Sequence, residues 1–222
     1  MNTLNHVAFI MDGNGRWGEK IGKNRNYGHL KGVETVKKIV KSSIQLKIPI
    51  ITFYVFSSEN WKRPKKEINF LLNLIKVYFQ KEIETIKKQG IKINIFGEIN
   101  KFSNDIKLVL KKTIYQTKTN KKIILNLAIN YGSKNEILNA IKKLKKKIDV
   151  KKIEENLYTK GMPNPDILIR TGGYNRLSNF MLWQIAYSEI FFLKKLWPEF
   201  TASDLLKIVK KYKKIKRNFG NV

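Results

Sequence analysis

Short apolar runs, each stopped by a polar turn, constrain this chain more than any other feature. Val7–Met11, Ile50–Phe56, Ile91–Phe96, Ile123–Ile129 and Ile167–Ile169 are too short for ordinary helices and rich in β-branched or aromatic residues, so they read as buried strands. Longer stretches with helical spacing lie between them: Tyr27–Leu46, Lys66–Gln89, Ser103–Thr117, Lys134–Ile148 and a short piece at Val150–Leu157. Farther on, Ser178–Tyr187 reads as a helix, Glu189–Phe192 as a short strand and Ala202–Lys216 as a last helix, for which Thr201 and Asp204 could form a capping box. Strands alternating with helices predict an α/β fold: a central, mostly parallel sheet flanked by helices, with right-handed crossovers. With no internal repeat and no long linker, one domain over residues 1–222 is expected.

The polar blocks fall where such a sheet would bind a ligand. Asp12-Gly13-Asn14-Gly15-Arg16, Ser57-Ser58-Glu59-Asn60, Asn130-Tyr131-Gly132 and Arg170-Thr171-Gly172-Gly173 each follow directly on a predicted strand. The C-terminal ends of parallel strands share one edge, so Asp12, Arg16, Ser57, Asn60, Arg170 and Arg176 can converge there. Gly13 and Gly15 let the backbone turn sharply and bring N–H groups close to a ligand, and helix N-termini at that edge favour anions. A carboxylate beside phosphates usually works through a divalent cation, most often Mg²⁺. Taken singly, each block could equally be a charged surface turn. The lysine and hydroxyl of a P-loop are missing, and so is the third glycine of a dinucleotide fingerprint. His29, one turn into the first long helix, reads either as a structural residue or as a phosphate contact.

Composition bears on two further points. The 45 basic and 17 acidic residues give a net charge of +28, which invites a nucleic-acid reading. Against it, the lysines spread over most predicted helices, as in Lys142–Lys147 and Lys210–Lys216, instead of forming one stripe, a pattern that AT-rich coding would also produce. The charge would still attract anionic headgroups and phosphorylated substrates. Only six of the basic residues are arginine, and five of these (Arg16, Arg25, Arg63, Arg170 and Arg176) fall in or beside the polar blocks, where a planar, bidentate fork is useful. Cysteine is absent, so disulfides and thiolate metal sites are excluded. No apolar run approaches the ~18 residues of a membrane span and no signal segment is evident, so a cytoplasmic protein is expected. The predicted helix from Ile68 to Phe79 is apolar on more than one face, which makes it central core or the wall of a hydrophobic cavity.

The polar blocks, with the residues around them, resemble the cis-prenyltransferases of the bacterial undecaprenyl diphosphate synthase type. The matching stretches are His6–Trp17, Gly28-His29, Phe53–Pro64, Leu125–Gly132, Ile167–Gly173, Arg176–Phe192 and Leu196–Pro198, in the family's order over nearly the whole chain. The resemblance implies Mg²⁺-dependent addition of isopentenyl diphosphate units to farnesyl diphosphate with cis geometry, a hydrophobic tunnel for the growing chain and a homodimer. The product would be the C55 lipid carrier of cell-wall synthesis, delivered to the membrane's inner face by a cytoplasmic or peripherally bound enzyme. The Asp-rich signature of the all-helical trans class is absent. By the same resemblance, Asp12 is the essential Mg²⁺-linked carboxylate and Asn60 is catalytic. Gly13, Asn14, Gly15, Arg16, Arg25 and His29 form the allylic diphosphate cradle. Trp17, Ser57, Ser58, Glu59, Trp61 and Arg63 are further substrate contacts. Arg170, Arg176, Leu177 and Ser178 belong to the isopentenyl diphosphate side, and Glu189 is a second metal ligand. The base that removes the final proton stays open between Asp12, a Ser57–Asn60 relay and the diphosphate itself.

Two departures from the family pattern stand out. Tyr174-Asn175 replace the usual Glu-His after Arg170–Gly173, which removes a supposed metal-ligating histidine. Near the C-terminus, Asn218-Phe219-Gly220 replaces the usual Arg-x-Gly, with Arg217 one place early. Product length does not follow from these residues, so a cis-prenyltransferase of different product length is the alternative. A nucleic-acid-binding module would explain the charge and leave the motif blocks unexplained, so no nucleic-acid partner is expected. A catalytically silent subunit would not need Asp12, Asn60, Arg170 and Arg176.

Overall fold

Each apolar run pairs with its neighbours in the sheet because its backbone groups need partners once its side chains are buried. The computed structural model describes residues 2–144 and 148–218. Its strands are β1 (His6–Ile10), β2 (Ile50–Ser57), β3 (Ile91–Phe96), β4 (Ile123–Tyr131), β5 (Ile167–Arg170) and β6 (Glu189–Phe192). They form one six-stranded sheet in the order β3-β4-β2-β1-β5-β6, parallel at every pairing. The helices are α1 (Asn14–Lys20), α2 (Arg25–Gln45), α3 (Lys65–Lys88), α4 (Asn104–Thr117), α5 (Ser133–Lys142), α6 (Val150–Glu154) and α7 (Ala202–Lys214).

Successive side chains of β1 feed opposite faces of the sheet. Val7 and Phe9 join the larger core cluster, with Ile39 and Val40 of α2, Leu71 and Phe79 of α3, and Leu205 and Val209 of α7. Phe9 stacks on Phe53 at 4.8 Å, and Trp197 meets both rings edge-on. Trp197 also donates its indole N–H to the Gly32 carbonyl at 2.9 Å. Ala8 and Ile10 join a second cluster with Leu168, Phe180, Met181 and Ile185. Burial of side chains this size contributes about 1.5–3 kcal/mol each.

A buried polar chain fixes the register across four strands. His6 donates from Nδ1 to the Pro163 carbonyl at 2.9 Å, and its Nε2 lies 2.7 Å from the Thr52 hydroxyl. Asn126 donates to Thr52 at 3.0 Å, and Asn94 donates to Asn126 at 2.9 Å. Burial pushes His6 down to about 4, against smaller upward pulls from Pro163 and Asp166, so its ring is neutral.

The structure departs from the sequence reading in three places. The turn after β1 is shorter than expected, because Asn14 already opens α1. The stretch from Ser178 to Tyr187 is a series of turns and not a helix. Ser178, Asn179 and Met181 have φ of 51°, 60° and 47°, in the left-handed region that a right-handed helix excludes. Helix α5 closes at Lys142, and the continuation expected through Lys145–Lys147 lies outside the described residues, as do Phe219 and Gly220 of the C-terminal motif.

Candidate active site

The end of β1 delivers Asp12 to the C-terminal edge of the sheet, and Gly13 turns the chain into α1. Gly13 has a φ of 106°, and a Cβ there would fall 2.7 Å from Leu196, so only glycine fits. The Asp12 carboxylate meets two guanidinium groups. Its Oδ2 accepts from Arg170 Nη2 at 2.8 Å and its Oδ1 accepts from Arg16 Nη2 at 3.1 Å. Arg170 is the last residue of β5, in register with Ile10, and its side chain is only 3% exposed. It also donates from Nη1 to the Ser178 hydroxyl at 2.7 Å and to the Arg176 carbonyl. Arg16 donates to the Gly172 carbonyl at 2.8 Å. The Tyr174 ring lies against two of these cations, 4.7 Å from the Arg16 guanidinium carbon and 4.1 Å from that of Arg176.

A second cationic group gathers around Glu67 in the first turn of α3. Arg63 donates to it at 3.0 Å and Arg25 at 3.4 Å, and His29 Nε2 stands 3.7 Å away. Burial pushes His29 down to about 4, and Arg63 and Arg25 add to this against the pull of Glu67. The imidazole is therefore neutral near pH 7. Burial alone would raise the Glu67 carboxyl, but Arg25 and then Arg63 hold it below its ordinary range. Asn60, which accepts the Ser57 N–H at 3.1 Å, lines the same cavity as Arg63, His29 and Arg170.

These elements enclose a cavity of about 280 Å³ lined by Asp12, Asn14, His29, Ser57, Asn60, Arg63, Arg170, Arg176 and Ser178, among others. An apolar cavity of about 120 Å³ adjoins it, sharing Met11, Asn14, His29, Val55 and Leu71. It runs between α2 and α3 past Val36, Leu74, Ile75 and Tyr78. Beyond Val36, Tyr78, Phe79 and Leu127 lies a further space of about 260 Å³, reaching Lys37 and Glu82. Helix α3 is thus both core and cavity wall.

Not every expected site residue reaches the polar cavity. Trp17 stacks on Tyr27, and Arg25 lies over Gly15 while pairing with Glu19 and Glu67. Trp61 donates to Asn130 at 2.8 Å and packs on Phe56 and Phe102. Ser58 donates to Glu59, and Leu177 packs on the second core cluster. Asp12 and Glu189, both expected as metal ligands, lie at opposite ends of the sheet. The parallel register sets Glu189 opposite Ile167, at the start of β6, whereas Arg170 and Asp12 lie at the far ends of their strands. Three residues of strand amount to about 10 Å. The Glu189 carboxylate instead faces Arg217 at 4.0 Å. Among the described residues no group of three or more His, Cys, Asp or Glu is placed to hold a metal.

Comparison with known proteins decides what this edge belongs to. The Prenyltransf model, which describes undecaprenyl diphosphate synthases, matches residues 10–220. The chain belongs to the cis-prenyltransferase family. It is 43% identical to the isoprenyl transferase of Prochlorococcus marinus subsp. pastoris over 227 residues, covering 98% of this chain and 84% of that protein. It is 42% identical to the isoprenyl transferase of Clostridium tetani over 231 residues, covering 100% and 91%. The fold is similar to that of lavandulyl diphosphate synthase from Lavandula x intermedia, solved with dimethylallyl diphosphate, at a TM-score of 0.93 and 32% identity over 98% of each chain. The chain is accordingly an enzyme, a prenyltransferase.

Within this family setting, two side chains at the edge escaped the sequence reading. Glu67 gathers Arg25, Arg63 and His29, and its spacing of four residues from Arg63 at a helix start was the available signal. Tyr174 registered only as a departure from the family pattern, yet it sits between two arginine blocks.

Proposed function

We propose that the enzyme adds isopentenyl diphosphate units to farnesyl diphosphate with cis geometry, making undecaprenyl (C55) diphosphate for cell-wall synthesis. The observation that carries this is the junction at Met11, Asn14 and His29: a cation-lined polar cavity that holds Asp12 on one side and an apolar cavity walled by α3 on the other. A diphosphate head with a long apolar tail suits that junction. A nucleic acid does not suit it, because the apolar half would have nothing to receive. The allylic diphosphate bound to the lavender relative supports the same substrate class.

In this reading Arg63, His29 and the N–H groups of Gly13 to Arg16 hold the allylic diphosphate, and Arg25, paired with Glu67 beside Arg63, adds its charge from outside the cavity. Arg170, Arg176 and Ser178 hold isopentenyl diphosphate. The allylic C–O bond breaks and its electron pair leaves with the diphosphate, whose charge the arginines and N–H groups neutralise. The apolar walls keep water from the cation until the isopentenyl double bond attacks it, and a proton is then lost. Asn60, on the wall of the same cavity, orients the reacting ends. Asp12, a carboxylate at the wall of a cation-lined cavity, would be the residue to hold Mg²⁺ beside the diphosphates. Mg²⁺ when bound would supply charge neutralisation at the departing diphosphate.

We place the enzyme in the cytoplasm, with peripheral contact at the membrane where its product is consumed. No helix of the described residues is long and apolar enough to cross a membrane. A homodimer through β6 is part of the reading. This edge strand leaves Ile190 and Phe192 exposed, and an uncovered apolar edge is a pairing surface. The test is Asp12→Ala. Incorporation of radiolabelled isopentenyl diphosphate should be lost while the protein stays folded, and undiminished incorporation would refute the role.

A further inference from the structure

Three loops at the sheet edge are riveted by one side chain that touches none of the substrates in the reading above. Asn179 follows Ser178 in the turn after β5. Its backbone carbonyl accepts the Ser133 N–H at 2.8 Å, and its side-chain oxygen accepts the Lys134 N–H at 2.9 Å. Helix α5 begins after Gly132, which has no side chain to cap it, so Asn179 caps that helix from a distant segment. The other half of the same amide donates to Glu59 Oε1 at 2.8 Å, in the turn after β2 that carries Asn60.

Two costs are borne to keep this arrangement. Asn179 and its neighbour Ser178 both sit at positive φ, 60° and 51°. L side chains avoid this region because Cβ crowds the following carbonyl, asparagine least of them. Position 132 must also lack a Cβ. One there would lie 2.7 Å from the Asn179 amide nitrogen and 2.5 Å from the Ser58 hydroxyl. The left-handed Ser178 presents its hydroxyl to Arg170, which holds Asp12. A single residue therefore ties the Arg170–Ser178 side of the cavity to the Ser58–Asn60 side.

We propose that Asn179 is a positioning residue that sets the register between the two diphosphate half-sites, and so the approach of the two reacting carbons. The proposal rests on the condensation reaction described above. Each half-site keeps its own ligand contacts without Asn179, so binding should survive while alignment fails.

The experiment compares wild type with Asn179→Gly, which relieves the left-handed strain and removes both side-chain bonds. The expected result is a kcat at least tenfold lower, KM for each diphosphate within threefold of wild type, and unchanged stoichiometry of farnesyl diphosphate binding. A double-mutant cycle adds a readout that loss of fold cannot imitate. In Asn179→Asp two carboxylates face each other, and Glu59→Gln in the same chain restores a donor to that pair. The double variant should exceed Asn179→Asp in kcat by at least fivefold. Wild-type kcat in Asn179→Gly, losses that track a fall in bound farnesyl diphosphate, or a purely additive cycle would each overturn the proposal. A wild type unable to condense the two diphosphates would instead sink the functional reading beneath it.

Discussion

Two aspartate–arginine pairs stand at opposite edges of the same sheet, both beside β1 and β5, and they are spent differently. Asp166 precedes β5. Its carboxylate accepts the N–H groups of Asn5 and His6 at 2.7 and 3.0 Å, the Tyr212 hydroxyl at 3.1 Å and Arg217 at 3.3 Å. Four donors, two of them backbone, commit it to holding the start of β1 and the segment after α7 in place. Asp12 follows β1, and among the described residues its carboxylate accepts only from two arginines, at the wall of a cavity. Arg170 Nε finds no hydrogen-bond partner among the described residues. One pair closes a structure, while the other keeps capacity for a ligand, and that difference marks the functional edge.

The largest expected effect separates the two aspartates. Asp12→Ala should lower the rate of isopentenyl incorporation per folded molecule by roughly a thousandfold or more, a loss out of proportion to whatever stability goes when the buried Arg170 is left without its carboxylate. Asp166→Ala should cost about 3 kcal/mol in urea unfolding, because the N–H groups of Asn5 and His6 lose their acceptor and Arg217 loses one of its two carboxylates. Its folded fraction should keep its kcat. If both variants lost activity in proportion to stability, the contrast between the edges would be broken.

Arg170→Lys comes next. An ammonium cannot hold Asp12, Ser178 and a diphosphate together as the guanidinium fork does, so KM for isopentenyl diphosphate should rise about tenfold with a smaller change in kcat. An unchanged KM would remove Arg170 from the binding surface.

Acid should destabilise the fold through its two buried histidines, His6 at the structural edge and His29 at the functional one. His6 sits at about 4 in the fold against an ordinary 6.5, so the unfolded chain takes up its proton first as pH falls. Its contribution is fully present above pH 6.5 and is lost progressively toward pH 4, to a total of about 3 kcal/mol. His29, also lowered to about 4, acts in the same direction. Urea midpoints measured from pH 7.5 to 4.5 should fall, and His6→Gln should flatten the slope. A slope unaffected by that change would mean the buried chain from His6 to Asn94 is not what acid disrupts.

The smallest expected effect concerns Tyr174. Removing the ring in Tyr174→Ala should raise KM for isopentenyl diphosphate about threefold, since an exposed cation–π contact contributes only ~0.5–1 kcal/mol. Tyr174→Phe should behave as wild type, and a loss in that variant would assign the role to the hydroxyl instead.

The sheet was legible because its strands are short apolar runs ended by glycine, serine and asparagine, which no helix of this length would show. Convergence of Asp12, Asn60, Arg170 and Arg176 followed from one rule, that parallel strands end at a common edge. Position along a strand was less legible. Glu189 lies in a block shared with the family, but only its register against Ile167 reveals that it opens β6 at the other edge. The turns from Ser178 to Tyr187 were misread because their apolar spacing imitates a helix, while the left-handed Ser178 and Asn179 leave no mark in composition. Trp61 is expected as a substrate contact through the family resemblance alone. The ring instead packs on Phe56 and Phe102, where its bulk is worth more.

The most direct measurement is to incubate the purified protein with farnesyl diphosphate, radiolabelled isopentenyl diphosphate and Mg²⁺, then chromatograph the dephosphorylated products. A ladder of prenols rising to C55 is the result expected if the cavity at Asp12 and the adjoining apolar cavity along α3 serve head and tail of one substrate. Absence of any product longer than farnesol would contradict it.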